Sequence, residues 1–237
     1  MTCVADTQGG IGYQIQQTLK NEFLRRGLCE DSIAVLTQVV VDKDDPGFRN
    51  PTKPVGAFLT EDEAVRLANE TGATFKEDAG RGWRQVVPSP KPQRIVEFDA
   101  IKDLMDDGYI VVSTGGGGVP VIERDDSYHG VPAVIDKDRS SAKLAADFRA
   151  DMLVILTAVE KVAINFNTPE QEEIDSMTVA EARKYIAEGQ FAPGSMLPKV
   201  QAAAKFTASR PGRRALITLL EKALEGLQGK TGTVFTA

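Results

Sequence analysis

The sequence has few of the residues on which nucleophilic and metal-dependent catalysis usually depends. It contains two cysteines, Cys3 and Cys29, and a single histidine, His129, among 237 residues. Two cysteines without metal-ligand spacing exclude a disulfide framework and a cysteine-ligated zinc site, so we expect thiols in a reducing compartment. His129 stands beside Gly130 in a polar stretch and is interpreted as a loop residue, because nothing near it indicates a Ser–His–Asp or Cys–His arrangement.

Long apolar runs and an excess of positive charge are also absent. No apolar run approaches the length of a membrane span, and the first residues lack the charged start and apolar core of a signal peptide. We therefore expect a cytoplasmic protein with no membrane partner. The net charge of −6 argues against a dedicated nucleic-acid-binding protein, because phosphate backbones require a basic face.

What the sequence does have is a regular alternation of helix and strand patterns. Hydrophobic spacing with start and stop signals predicts helices at 11–27, 60–70, 98–107, 140–149, 178–189, 198–209 and 219–227. Runs of β-branched and apolar residues predict strands at 33–41, 109–114, 131–135, 152–157, 162–166, 215–218 and 233–235. Strands that alternate with helices are typical of a mostly parallel sheet covered on both faces, so we expect an α/β fold.

Two of the predicted helices begin with a capping box, in which two side chains satisfy each other's free backbone N–H groups. Thr60 with Glu63 opens the helix at 60–70, and Thr178 with Glu181 opens the helix that stops at Gly189. In the helix at 98–107, we expect Met105 to face inward with its apolar neighbours.

The stretch from Asp42 to Pro92 differs from the rest in being rich in proline, glycine and charge. Only one helix is predicted inside it. We therefore interpret 42–88 as a lid subdomain inserted within a single domain that spans 1–237, with hinges near Asp45-Pro46 and at 88–90.

Four consecutive glycines, Gly115, Gly116, Gly117 and Gly118, follow the predicted strand at 109–114. Ligands of parallel sheets bind at the carboxyl ends of strands, and glycine lets backbone N–H groups approach an anion closely. The alternative is a flexible turn. We favour an anion site, because four glycines in succession are costly to order.

A second unusual segment, Asp136-Lys137-Asp138, ends the predicted strand at 131–135 and precedes a helix. A strand would here deliver two carboxylates and an ammonium group to the edge of the sheet. Asp138 is also placed to cap the helix. A capped loop with a solvated charge cluster explains the spacing equally well, so the residues alone leave both interpretations open.

The third segment, 191–199, leads through Pro, Gly and Ser into the helix that carries Lys199 in its first turns. The helix dipole disfavours a lysine at that position. A bound anion would offset the cost, since helix N-termini attract phosphates. An ordinary surface lysine remains the simpler interpretation from the residues alone.

The common nucleotide-binding motifs are not present. No G-x-x-x-x-G-K-[ST] sequence occurs, and Gly229-Lys230-Thr231 lacks the first glycine and follows a helix. The four glycines are followed by Val-Pro, which does not fit the opening helix of a Rossmann motif. A P-loop NTPase and a Rossmann enzyme are therefore both excluded.

Taken together, the unusual segments resemble the carbamate kinases of the amino acid kinase family. The resemblance is carried, in order and with matching spacing, by residues 7–13, 50–56, 74–83, 88–92, 115–120, 134–138, 156–157, 165–166 and 191–199. It implies a three-layer α/β/α sandwich, with a mostly parallel central sheet and a small inserted lid, in a homodimer. It implies transfer of a phosphoryl group between carbamoyl phosphate and ADP, giving ATP in the breakdown of arginine.

The resemblance also assigns roles to residues. Lys137 and Lys199 would neutralise the transferring phosphoryl group and the nucleotide phosphates, and Asp138 would orient these lysines. Lys53 on the lid would close over carbamoyl phosphate, and the four glycines would hold its carbamate or phosphate end. The nucleotide would be bordered by Asp136, Thr157, Ala158, Val159, Val162, Met196 and Lys199. Mg²⁺ would bind through the nucleotide phosphates, with no protein ligand assigned.

These roles agree with what phosphoryl transfer requires, namely in-line placement and positive charge around the moving group. Two departures stand out. Members of the family usually begin with a strand that ends in a Gly-Gly-Asn phosphate loop, which does not occur in this sequence. The second departure is Gln190, which stands where a histidine is common. Three explanations for the first departure are a fragment, a misplaced start codon, and a truncated, inactive nucleotide-binding paralogue. An alternative with the same fold and a different substrate is a glutamate or acetylglutamate kinase. The sequences of residues 50–56 and 80–83 argue against it.

Overall fold

The computed structural model describes residues 2–78 and 80–237, so Ala79 of the predicted lid lies outside the described residues. The α-helices are α1 (Thr2–Arg26), α2 (Glu61–Thr71), α3 (Phe98–Asp106), α4 (Lys137–Asp147), α5 (Val179–Ala187), α6 (Met196–Ala208) and α7 (Ala223–Leu227). Short 3₁₀ helices lie at Pro46–Phe48, Gly115–Gly117 and Leu220–Lys222. Within these described residues, none of the helices combines the length and apolar character needed to cross a bilayer.

The strands of the first part of the chain are β1 (Ser32–Ala34), β2 (Gln38–Val41), β3 (Lys53–Leu59), β4 (Phe75–Glu77), β5 (Trp83–Val87), β6 (Pro92–Ile95), β7 (Ile110–Val112), β8 (Val119–Arg124) and β9 (Ser127–Gly130). Those of the second part are β10 (Met152–Thr157), β11 (Val162–Ile164), β12 (Glu172–Ile174), β13 (Ser176–Thr178), β14 (Arg214–Leu219) and β15 (Thr233–Thr236). The chain divides into two compact units, of which the first ends at Ser140 and the second runs from Ser141 to Ala237.

The main sheet of the first unit has the strand order β6-β2-β8-β9. β2 pairs in parallel with β8 and antiparallel with β6, while β8 and β9 form an antiparallel hairpin. Val39, Val40 and Val41 of β2 are all buried, as expected for a strand covered on both faces. β1 and β7 form a separate parallel pair, and β3, β5 and β4 form an antiparallel sheet within the predicted lid.

Helix α1 packs on β1 through small and polar residues. A Cβ on Gly12 would lie 3.0 Å from the Cβ of Ala34, so glycine permits the close approach, and the Gln16 side chain accepts a hydrogen bond from the Ala34 N–H at 2.8 Å. Ile11 and Ile15, from the apolar repeat that predicted this helix, are 52% and 41% exposed. The predicted helix is therefore confirmed, but the predicted apolar face is buried only toward its end, where Phe23 is 8% exposed.

The second unit is built on a mixed sheet of order β10-β14-β15-β13. β14 pairs in parallel with β10 and antiparallel with β15, and β15 also pairs in parallel with β13, so β15 is an interior strand. Helix α6 packs against β14 and β15 through a buried run of small residues, Ala202–Ala204. Thr218, at the end of β14, is fully buried, and its hydroxyl has no hydrogen-bond partner within the described residues.

The predicted α/β fold is confirmed, and both predicted capping boxes are present with reciprocal hydrogen bonds. The strand at 152–157 and the helices at 60–70 and 98–107 are found within one residue of their predicted bounds. Met105 is wrong as an inward residue, because it is 47% exposed while Ile101 of the same helix is buried.

Two predicted strands need correction. The run at 33–41 is two strands, because β1 pairs with β7 whereas β2 pairs with β8 and β6, and the link from 35 to 37 lies between them. The segment 131–135 forms no ladder. Its Val131 and Val134 N–H groups bond singly to the Pro120 and Pro88 carbonyls, and Pro132 has no N–H to donate.

Smaller differences concern element ends. The strand predicted at 162–166 stops at Ile164, because Asn165 takes a left-handed conformation with φ of 50°. The helix predicted at 219–227 is a 3₁₀ turn followed by the five residues of α7.

Candidate active site

The four glycines form a tight turn between β7 and β8. Gly115–Gly117 make a 3₁₀ turn in which the Gly117 N–H donates to the Thr114 carbonyl at 2.9 Å, and the Gly118 N–H to the Gly115 carbonyl at 3.1 Å. Gly116, Gly117 and Gly118 all have positive φ. A Cβ on Gly117 would overlap the Ile135 carbonyl oxygen, so the turn is closed against the segment that leads into α4. It is an ordered structure, and not a loose linker.

The turn is held from two sides by buried hydroxyl groups. Ser140, in the first turn of α4, donates to the Gly117 carbonyl at 2.7 Å. On the other side, the Thr114 N–H donates to the Thr37 hydroxyl at 3.0 Å. Both hydroxyl-bearing residues are fully buried, so water does not compete with these bonds and the turn is pre-formed.

Lys53 and Asp136 form an ion pair beside this turn. The Lys53 ammonium lies 2.5 Å from a carboxylate oxygen of Asp136, although 83 residues separate them in sequence. The Asp136 side chain is 8% exposed and that of Lys53 is 22% exposed. The pair therefore joins β3, in the predicted lid, to the segment that precedes α4.

Asp136 is held in its charged form by these contacts. Burial by itself would raise the pKa of the carboxyl, but the hydrogen bond and charge of Lys53, with backbone N–H groups of Arg139 and Asp138, lower the pKa below its ordinary value. The Asp138 N–H donates to Asp136 at 3.0 Å. The carboxylate therefore stays ionised throughout the neutral range.

Helix α4 begins at Lys137, whose side chain is exposed, and Asp138 in the same turn is buried. The first four N–H groups of a helix lack intrahelical acceptors and carry a partial positive charge. Lys137 adds a full positive charge there, although such a position disfavours a cation unless an anion accompanies it. In the first unit, the start of α4 is thus next to the ion pair and the glycine turn.

The second unit carries Lys199 on α6. The helix begins at Met196, two residues earlier than predicted, so Lys199 is its fourth residue and lies in the first turn. No acidic residue occurs in that turn, and the N-cap residue Ser195 makes no side-chain capping bond. Lys199 is partly buried.

A cavity of about 170 Å³ lies in the second unit at the start of α6. Its walls are mostly apolar. The residues that line it are Val159, Lys161, Ala163, Phe166, Gln171, Glu173, Gln190, Phe191, Ala192, Ser195 and Met196. Lys161 is paired with Asp175 at 2.6 Å, and a mostly apolar cleft with a few polar groups is typical of a small-molecule site.

One wall of this cavity is set by Gln190. Its side-chain oxygen accepts from the Asn165 N–H at 2.8 Å, and its amide nitrogen donates to the Asn165 side chain at 3.3 Å. These bonds fix the left-handed Asn165 and with it the exposed ring of Phe166. Gln190, noted in the sequence only as a departure, therefore has a defined structural role.

The structure brings together several of the residues singled out from the sequence. In the first unit, Lys53, Asp136 and the glycine turn are neighbours, and Lys137 and Asp138 follow directly in the chain. In the second unit, Val159 and Met196 line the cavity, whereas Thr157, Ala158 and Val162 are not among its lining residues. Val162 is fully buried in the hydrophobic core, so its side chain has no surface to offer a nucleotide.

Sequence reasoning missed the buried polar residues that support the turn, Gln8, Thr37 and Ser140. Gln8 and Thr37 had no distinguishing local pattern, because the bonds that join Gln8 to Thr37 and Thr37 to Thr114 span 29 or more residues. As for metal ligands, within residues 2–78 and 80–237 no three or more His, Cys, Asp or Glu side chains are grouped so as to hold an ion.

Comparison with known proteins identifies the class of protein that this site defines. The sequence profile of the amino acid kinase family matches residues 34–218. That range includes the glycine turn, Lys53, Asp136–Asp138 and Lys199. The chain therefore belongs to the amino acid kinase family.

Individual relatives place the chain more narrowly. A carbamate kinase-like protein of Escherichia coli is 55% identical over 98% of this chain and 74% of its own length. The carbamate kinase of Clostridium perfringens is 53% identical over 97% of this chain and 73% of its own. The structure of the Giardia lamblia carbamate kinase bound to AMP-PNP has a TM-score of 0.88 and 42% identity, covering 99% of this chain and 74% of that one. Within its family, the chain stands among the carbamate kinases.

Proposed function

We propose that this chain catalyses reversible phosphoryl transfer between carbamoyl phosphate and ADP, with formation of ATP. The observation that carries the proposal is the arrangement in the first unit, where a pre-formed glycine turn adjoins the part-buried Lys53–Asp136 pair and the start of α4. Relatives named as carbamate kinases, similar over nearly the whole chain, support it.

The first-unit residues would bind the small substrate. The N–H groups of Gly117 and Gly118 donate to carbonyl groups within the turn. The N–H groups of Gly115 and Gly116 would therefore face the carbamate or phosphate oxygens of carbamoyl phosphate. Lys53 would supply positive charge from the lid, and its bond to Asp136 would hold the ammonium in place. Such fixed donors need no reorganisation when charge develops during transfer.

Lys137 and Lys199 would neutralise the phosphate groups, with Asp138 as the group that orients them. Each lysine is found in the first turn of a helix, where a bound phosphate would offset the unfavourable dipole. Phosphoryl transfer depends on positioning and charge more than on covalent help from the protein.

The apolar cavity of the second unit would take the nucleotide base, with Val159 and Met196 in its wall. The Giardia relative is described as bound to AMP-PNP, which is consistent with a nucleotide as one ligand. Thr157, Ala158 and Asp136 remain proposed nucleotide neighbours. Val162 has a buried side chain, so only its backbone could contribute to the nucleotide site.

Mg²⁺ would accompany the nucleotide. The described carboxylates do not form a protein cage, and Mg²⁺ commonly retains waters and binds through substrate phosphates, so we assign it no protein ligand. When bound, it would neutralise charge on the phosphate oxygens.

We further propose a cytoplasmic homodimer active in arginine breakdown, with 42–88 as an inserted lid in a single domain.

The test is a coupled assay of ATP formation from carbamoyl phosphate, ADP and Mg²⁺. We expect Lys137→Ala and Lys199→Ala to lower kcat by on the order of 100-fold or more, as removal of a fixed charge-stabilising donor does. Matched controls are Lys143→Ala on α4 and Lys205→Ala on α6, which should keep near-normal rates. Unchanged turnover in both site variants would end the assigned roles, and ADP binding without any wild-type turnover would favour a non-catalytic nucleotide-binding protein.

A further inference from the structure

Thr37 contacts the chain on both sides of the glycine turn. Its hydroxyl oxygen accepts from the N–H of Thr114, the residue before the four glycines, at 3.0 Å. Its carbonyl oxygen accepts from the N–H of Val119, the residue after them, at 2.8 Å. Thr37 is fully buried, so one residue in the link between β1 and β2 fixes the entrance and the exit of the turn.

Thr37 is itself held by a side chain from another element. Gln8 of α1, which is 6% exposed, accepts from the Thr37 N–H at 2.7 Å and donates to the Thr37 carbonyl at 3.1 Å. The Thr37 hydroxyl also donates to the Val35 carbonyl at 2.9 Å. Every polar group of Thr37 thus has a partner, and a fully satisfied buried network fixes one local geometry.

The conformation held by this network is an uncommon one. Thr114 has φ of 53°, a value that residues other than glycine, asparagine and aspartate rarely adopt. Such conformations persist where surrounding contacts over-determine them, and they concentrate at ligand sites. The bond from the Thr114 N–H to Thr37 is one contact that supplies this constraint.

We propose that Thr37, backed by Gln8, is a positioning residue for carbamoyl phosphate, which acts by fixing the glycine turn whose amides face that substrate. The inference rests on the proposed function of the turn. Thr37 has no exposed surface and therefore acts through the turn and not by touching the substrate.

The test compares three variants of the full chain. Thr37→Val keeps the shape of the side chain but leaves the buried Thr114 N–H without its acceptor. Thr37→Ser keeps the hydroxyl. Thr218→Val is the matched control, because it also replaces a buried threonine by valine but removes a hydroxyl that has no partner in the described chain.

We expect Thr37→Val to lower kcat/KM for carbamoyl phosphate roughly tenfold, the scale set by a buried N–H that loses its acceptor. The KM for ADP should not change. Thr37→Ser and Thr218→Val should both keep the wild-type kcat/KM for carbamoyl phosphate. Hydrogen exchange should become faster at residues 114–119 in Thr37→Val alone.

Each contrary result has a distinct meaning. Unchanged exchange at 114–119 in Thr37→Val, or an equal loss of efficiency for ADP and carbamoyl phosphate, would overturn the positioning role and leave the proposed function standing. If the wild type forms no ATP, the proposed function fails. The positioning role is then decided by calorimetric titration with carbamoyl phosphate, in which wild-type affinity in Thr37→Val, or no binding by the wild type, would overturn it.

Discussion

Replacing Lys53 by Met removes the ammonium that balances the buried Asp136 carboxylate while it keeps most of the aliphatic side chain. Removal of one partner from a buried ion pair costs about 3–5 kcal/mol, because the remaining charge is left without compensation. Lys53 is 22% exposed, so we expect the lower end, about 3 kcal/mol at pH 7. Urea unfolding measures this free energy directly.

The cost should depend on pH with a definite sign. In the wild type the Asp136 pKa is lowered, so its stabilising contribution is present above the unfolded-state pKa and is lost as the pH falls through the folded-state pKa. Without Lys53, burial remains as a cause that raises the pKa. The penalty in Lys53→Met should therefore shrink as the pH falls from about 7 toward about 4, near the unfolded-state value of an aspartate.

The double variant Lys53→Met/Asp136→Asn isolates the interaction. It removes both charges, so it should be more stable at pH 7 than Lys53→Met alone, and its stability relative to the wild type should not follow the same pH trend. The reasoning would be refuted if the loss of unfolding free energy in Lys53→Met were constant between pH 7 and about 4.5. It would also be refuted if the effects of Lys53→Met and Asp136→Asn on the free energy of unfolding simply added up in the double variant.

Three further predictions concern single positions. Gly117→Ala places a Cβ against the Ile135 carbonyl at a residue with φ of 97°. It should lower the free energy of unfolding by at least about 2 kcal/mol, with loss of activity. The control is Gly229→Ala, where φ is also positive but the space is open, and there thermal or urea unfolding should show a cost of about 1 kcal/mol. Thr218→Val removes an unsatisfied buried hydroxyl and should raise the free energy of unfolding by up to about 1 kcal/mol; a clear loss would contradict the assignment. Thr178→Ala deletes an N-cap hydroxyl bonded at 3.2 Å and should cost about 1 kcal/mol, and an effect below experimental error would count against the cap.

Features fixed by neighbouring residues were predictable from the sequence. The capping boxes of α2 and α5 depend on two residues three positions apart, and both were found. Asp136 was placed correctly just before a helix, but α4 begins at Lys137, three residues earlier than predicted, so Asp138 lies inside the helix and is not its cap. The anion site predicted at the four glycines stays a prediction. In the capping boxes the deciding interaction is local, so the sequence pattern predicts it.

Features fixed by distant partners were not predictable. The break between β1 and β2 arises because Thr37 bonds to Gln8 and to the residues that flank the glycine turn, at sequence separations of 29 to 82. The Lys53–Asp136 pair spans 83 residues. The failed strand at 131–135 is different, since Pro132 was a visible local signal against a ladder.

The position of β15 has a consequence for how the chain is made. Residues 233–236 form an interior strand that pairs on both sides, with β14 and with β13. During synthesis, β13 and β14 emerge first and cannot reach their final arrangement until residue 236 has left the ribosome. A nascent chain halted before that point would display two unpaired strand edges, which are templates for association with other chains.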